Sequence, residues 1–456
     1  MMRNQRQNGF AYDYFRRRGQ TLLSLITDMG PGFLVTIGFI DPGNIATNVV
    51  AGASFGYKLL WVVPLGTVIL ILFQEMAARL GVCNRVCLSE AVCPMVGPIW
   101  SLPLGGLALL GSAATVLAEL LGAAVGLNLL FGLPLLVGGI LTAVVIASVI
   151  WSQEYHHVED LIVAMVGLIG LAYLIEIFIA RPAWGEVAHH LVVPHLDHAS
   201  AYTAISVLGA IVMPSNLYLH SAIVQNRDWS GSRMRHEFFD TTVSMVVGGV
   251  INAAIIIVAA AVFYRHGLPV NGLDDAARTL EPIAGTLART VFALALVLAG
   301  LAAGITGAMA GSYAVGGFFP WRRGAAGARG RGAHRWGAHR WGAGGRGTGR
   351  PATDLQVTPE PGWHHASRPF RTGFLIVLGL AVTGLALTRN PLSTMVLSQA
   401  LLGVMLPFTI IPLLILTGRP SLMGKWVNPP AVKALGWAIA IVVIGLNGYL
   451  LYTLIW

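Results

Sequence analysis

Apolar residues dominate this 456-residue chain in long blocks separated by short polar stretches. A bilayer core takes about 20 apolar residues per helix. By that measure eleven runs are long enough to span: 30–53, 59–81, 102–131, 134–152, 158–180, 201–225, 240–264, 286–318, 372–388, 394–417 and 434–454. None alternates with the period of two that a half-buried strand shows. The pattern predicts an all-helical polytopic membrane protein with about eleven transmembrane helices.

Charge sets an orientation. With the amino end inside, the inner segments hold 23 of the 29 Lys and Arg and the outer segments hold 6. Cytoplasmic loops carry this kind of excess, so the amino end is expected inside and the carboxyl end outside. Residues 1–26 read as a polar, basic cytoplasmic tail rather than a secretory signal. Only 11% of the chain is charged, against about 25% in soluble domains. The net charge of +9 is no nucleic-acid footprint, because ten of the Lys and Arg lie between Arg322 and Arg371 and most others flank apolar runs. That eighth loop contains the tandem "GAHRWGAHRWGA". It reads as a low-complexity, basic cytoplasmic insertion near anionic lipid. Cys83, Cys87 and Cys93 match no standard zinc spacing and imply no disulfide framework.

Two of the runs are interrupted. Run one contains "GFIDPGNIATN", residues 38–48, and run six contains "IVMPSNLYLHS", residues 211–221. Asp41 would cost roughly 2.5–3.5 kcal/mol at the bilayer centre on insertion scales. Pro42 and Gly43, and again Pro214, disrupt helix hydrogen bonds where no water replaces them. One such break reads as a kink. Two, each opening a set of five runs, point to an inverted-repeat transporter with its site at the midplane. The unwound backbone offers carbonyls and helix ends to an ion. Asp41 adds an anionic oxygen, Asn44 a neutral one and Met213 a soft sulfur, while Asn216 either contributes or ties the broken backbone together. Oxygen donors alone suit Mg²⁺ or Ca²⁺; the added sulfur favours first-row ions such as Mn²⁺ and Fe²⁺.

The two breaks, "DPGN" and "MPSNLYLHSAIVQ", resemble the Nramp family of divalent-metal transporters. "PGFLVTIGFIDPGNIATN", "LAELLGAAVGLNLLFGLP" and "VLSQALLGVMLPFTIIPLL" extend the resemblance over all but the tail and the eighth loop. It implies a LeuT-type inverted repeat of five plus five helices with one extra helix. The expected divisions are 27–180 for the first repeat, then 200–318 and 370–418 for the second, split by the loop 319–369, and 434–456 for the last helix. It implies that Asp41, Asn44 and Met213 are metal ligands, that Gln399 joins them in some conformations, and that metal moves inward alongside protons. Glu119 and His220 are then expected on the proton route or its gating, with Pro42, Gly43, Pro214 and Asn216 forming the helix breaks.

The chain also departs from the family. Ser215 stands where a histidine is typical, and Val116 where an acid is typical. Run eight, "GITGAMAGSYAVGGFF", keeps only a Thr-Gly and Ala-Gly rhythm, and the paired arginines expected at the start of run nine do not align across "HHASRPFRTGF". Proton coupling is therefore left open. The expected activity is secondary import of Mn²⁺ and possible import of Fe²⁺, by alternating access in a bacterial inner membrane. The expected partners are divalent metal ions, protons and the lipid bilayer, with no cofactor and no nucleic acid. The alternatives are an uncoupled metal carrier and a metal-sensing membrane protein without flux. An enzyme is not expected: the chain has no "HExxH". His189, His190, His195 and His198 cluster in the fifth loop, which reads as solvated; collection of metal there is the alternative.

Overall fold

The computed structural model describes residues 41–152, 167, 170–226, 231–275, 288–319 and 368–455. The amino-terminal tail, the first part of run one, most of the first half of run five and the basic loop lie outside these residues. No strand occurs among the described residues. The helices are α1 (Pro42–Phe55), α2 (Val62–Asn84), α3 (Leu88–Phe131), α4 (Leu135–Ser152), α5 (Gly170–Ala180) and α6 (Trp184–Val192). They continue with α7 (Ala201–Val212), α8 (Pro214–Ile223), α9 (Gly231–Val262), α10 (Ala288–Phe318), α11 (Arg368–Leu387), α12 (Pro391–Thr417) and α13 (Pro430–Ile455). Among the described residues, eight helical spans are long and apolar enough to cross a membrane.

Helix starts follow local chemistry. Pro opens α1, α8 and α12, where a missing N–H costs nothing and φ is already helical. Asn390 caps α12 by accepting a bond from the Ser393 N–H (3.0 Å). Helix α3 starts well before run three and is interrupted at Gly97 (φ 75°, ψ 173°), so its first turns form a separate short piece.

Lipid gives no hydrophobic drive between helices, so close backbone approach and shape fit hold the bundle. The most extensive interface joins α3 to α10, and α12 packs along α7. Gly209 of α7 lies against the Gln399 carbonyl and Gly403 of α12, and Gly403 in turn lies against the Ile205 carbonyl. Each of these two positions has backbone where a side chain would have to go. At the other interface a Cβ on Gly300 of α10 would fall 2.6 Å from the Glu119 carbonyl of α3 and 3.0 Å from Ala123.

A polar tie fixes one end of α2. Arg79 pairs with Glu75 (2.6 Å) and donates to the Trp426 carbonyl (3.0 Å) and to Asn428 Oδ1 (2.7 Å). Asn428 Nδ2 donates to Thr417 Oγ1 (2.8 Å), so the connection between α12 and α13 is clasped to α2. Gly300→Val should push α10 off α3 and lower stability by about 1–3 kcal/mol, seen as a lower melting temperature of the detergent-purified protein.

Candidate metal site

Asp41 sits just before α1 in extended conformation (φ −96°, ψ 162°) and caps it. Its Oδ1 accepts from the Asn44 N–H (2.6 Å), while its Oδ2 has no hydrogen-bond partner among the described residues. The carboxylate is fully buried. A cap normally faces water; this one sits in the protein interior, at the positive end of a helix dipole, with one oxygen unspent.

The second break is equally specific. Helix α7 ends at Val212, Met213 adopts a left-handed conformation (φ 39°, ψ 88°), and α8 starts at Pro214. A β-carbon-bearing residue is strained there, and two bonds from Asn216 hold it. The Asn216 N–H donates to the Met213 carbonyl (2.9 Å), and Asn216 Nδ2 donates to Met213 Sδ (3.5 Å). In this structure Asn216 ties the broken backbone together.

The two breaks are joined. In an unbroken helix the Ala210 carbonyl would accept from residue 214, but Pro214 has no N–H to give. Asn44 Nδ2 donates to that carbonyl instead (3.3 Å). Gln399 of α12 closes the group: its amide lies over Gly43, so near that a β-carbon on Gly43 would overlap Nε2. Both polar atoms of Gln399 are buried without a hydrogen-bond partner among the described residues. So are both oxygens of Glu119 on α3, which lies within electrostatic reach of Asp41. Asp41, Asn44 and Gln399 thus gather at the start of α1, with Met213 three residues beyond the carbonyl that Asn44 engages. Unpaired buried carboxylates are strongly unfavourable in a dry interior. A divalent cation or a proton relieves them.

Other sequence-predicted residues fall as follows. His220 is buried on α8, its Nδ1 2.6 Å from Gln74 Oε1 of α2. Ser215 is buried, 3.4 Å from the Thr115 hydroxyl, and lines a small cavity with Gly111, Tyr218, Met405 and Thr409. Val116 is fully buried in an apolar cluster with Leu120, Ile146, Ile305, Phe374 and Val377. Arg371, from the segment that the family's paired arginines would occupy, has its guanidinium carbon 5.7 Å from the centre of the Trp151 ring. The three cysteines are free thiols.

The chain belongs to the Nramp family. The family model described as "Natural resistance-associated macrophage protein-like" matches residues 32–453. Curated relatives include the divalent metal cation transporter MntH of Brucella suis, 36% identical over 450 residues, covering 96% of this chain and 90% of the relative. MntH of Caldanaerobacter subterraneus is 34% identical over 444 residues, covering 95% and 94%. Among solved structures, a mutant of the Eremococcus coleocola manganese transporter superposes with a TM-score of 0.72 at 25% identity, covering 93% of this chain and 86% of that one. Mhp1, a nucleobase-cation-symport-1 transporter, shares the fold at a TM-score of 0.53 and 14% identity, covering 94% and 90%. This Nramp chain is therefore a multi-pass membrane protein with the LeuT-type fold, and not an enzyme.

Sequence reasoning missed several polar partners of the site. Asn48 and Asn252 bond to one another (2.8 Å) and Asn48 bonds to Asn44 (3.3 Å). The signal for Asn48 was its spacing: four residues beyond Asn44, on the same helix face. Asn252 and Gln74 are polar residues in apolar runs, but nothing in an isolated run says which neighbour each meets.

Among the described residues no three His, Cys, Asp or Glu side chains converge on a metal-sized space. The outer histidines illustrate this. The rings of His189 and His190 pack edge to face at 5.0 Å, as do those of His190 and His195 at 6.4 Å. Partial burial, then the neighbouring His189 and His195, hold the His190 pKa below its usual value. The loop is strapped down through its backbone, by Trp61 Nε1 donating to the His195 carbonyl (3.1 Å). Replacing His189, His190, His195 and His198 with Ala should leave uptake at low Mn²⁺ concentration unchanged; a raised half-saturation concentration would give the loop a collecting role.

Proposed function

We propose that this Nramp protein imports Mn²⁺, and Fe²⁺ by the same donor set, by alternating access across a bacterial cell membrane. Asp41, Asn44 and Met213 are the ligands, and Gln399 joins them when α12 closes on α1. The observation that carries this reading is the set of buried, unspent polar atoms at one place: Asp41 Oδ2, both amide atoms of Gln399 and both oxygens of Glu119. A cation at Asp41 Oδ2 supplies the positive charge that this cluster lacks. A thioether beside hard oxygens disfavours Mg²⁺ and Ca²⁺ relative to softer first-row ions. The relatives named as divalent metal cation transporters and a manganese transporter support the same substrate class. The amino end inside and eleven transmembrane helices complete the proposed topology, from the distribution of Lys and Arg.

Glu119 and His220 are the ionisable groups assigned to a proton route. Glu119 lies within electrostatic reach of Asp41, so an arriving cation favours loss of a proton from either carboxylate by simple electrostatics. The second reading is a carrier without proton coupling. It is favoured by Val116, which lies one turn from Glu119 in an apolar cluster and itself carries no group that takes up a proton.

Asp41→Ala should abolish Mn²⁺ binding and bring uptake into proteoliposomes to background; normal flux in that variant would refute the site. An internal pH dye read during wild-type uptake separates the two readings, since coupling acidifies the lumen and an uncoupled carrier does not. Glu119→Gln should flatten the pH dependence of uptake while changing Mn²⁺ affinity little, and an unaltered pH profile would remove Glu119 from the proton route.

A further inference from the structure

A carboxamide at a metal site has to be held the right way round, because its oxygen attracts a cation and its amino group repels one. At Asn44 the backbone settles the direction. The Ala210 carbonyl can only accept, so the amide face of Asn44 that meets it is the amino group. Its Oδ1 is then turned to the other side, where Asn48 Nδ2 donates to it (3.3 Å). The second Nδ2 hydrogen of Asn48 goes to Asn252 Oδ1 on α9 (2.8 Å). Three carboxamides thus form a one-way chain, started by the carbonyl that Pro214 leaves without its helical donor. Asn44, Asn48 and Asn252 are each at most 1% exposed.

One detail argues against simple packing. Asn48 Oδ1 has no hydrogen-bond partner among the described residues and is buried. A buried acceptor left unmade is destabilising. Flipping Asn48 would not help, because its oxygen would then face the oxygens of Asn44 and Asn252. Asn48 is retained as a double donor at the expense of its own acceptor, which makes sense if the orientation of Asn44 is what matters.

We propose that Asn48 and Asn252 are positioning residues for the cation: Asn48 fixes which way round the Asn44 carboxamide is held, and Asn252 holds Asn48. The proposal rests on Asn44 being a ligand. It assigns neither Asn48 nor Asn252 a direct bond to the ion. Outer partners of this kind commonly change metal affinity when removed, by about 10–100-fold.

The test uses the purified full-length protein, with Mn²⁺ binding by titration calorimetry and Ca²⁺ competition against Mn²⁺ uptake in proteoliposomes. Asn48→Leu removes both donors and should weaken Mn²⁺ binding by about tenfold or more and let Ca²⁺ compete better. Asn252→Leu removes the anchor and should shift both readouts in the same direction. Asn252→Asp keeps an acceptor for Asn48 Nδ2 and should restore affinity and selectivity toward wild type. A purely structural role would alter melting temperature without moving the Mn²⁺/Ca²⁺ preference. If Asn48→Leu fails to fold, the Asn252 pair decides: equal behaviour of Leu and Asp there overturns the proposal. Wild-type binding by Asn48→Leu alongside loss in Asp41→Ala also overturns it while sparing the site. Wild-type binding by Asp41→Ala would instead remove the site itself.

Discussion

In hydrocarbon a backbone carbonyl without a donor is a liability, and this protein creates one deliberately. Pro214 removes the N–H that the Ala210 carbonyl would take in an unbroken α7. Asn44, from the start of α1, supplies the replacement. That single hydrogen bond joins two interrupted helices 166 residues apart in sequence. Each break is thus stabilised partly by the other, and the ends of both helices meet where Asp41 holds an unspent oxygen.

The packing around this junction is arranged to let backbones close in. Gly43 admits the Gln399 amide, and Gly209 and Gly403 let α12 lie along α7 with almost no side-chain spacing. Gly300 does the same for α10 on α3, placing Glu119 beside the junction. Glycine in a helix is intrinsically costly, by roughly 0.8–1.0 kcal/mol against Ala. Here it is concentrated where a side chain would push a polar group away from the site.

Electrostatically the interior is unbalanced around the junction and apolar just behind it. Asp41 and Glu119 lie within electrostatic reach of each other, and Asp41 Oδ2 and both Glu119 oxygens have no hydrogen-bond partner among the described residues. One turn before Glu119, Val116 belongs to the apolar cluster of α3, α4, α10 and α11.

The sequence by itself determined the class of protein, the helical runs, the two interruptions and the kinds of donor they carry, because a bilayer demands long apolar segments and makes Asp, Pro and Asn conspicuous within them. Asp41, Asn44 and Met213 stood out for that reason. Gln399 was reached only through family resemblance; Asn252 and Gln74 stand out as polar residues in apolar runs, but nothing in those runs names their partners. These spans are apolar on almost every face, so periodicity does not say which side of a helix meets which neighbour. Only the tertiary structure decided that Gln399 lies over Gly43, that Glu119 comes within electrostatic reach of Asp41, and that Asn44 points its amino group at Ala210 and its oxygen at Asn48. Those are contacts between distant segments, fixed by glycine-to-backbone packing and by a carbonyl that only a folded partner can satisfy.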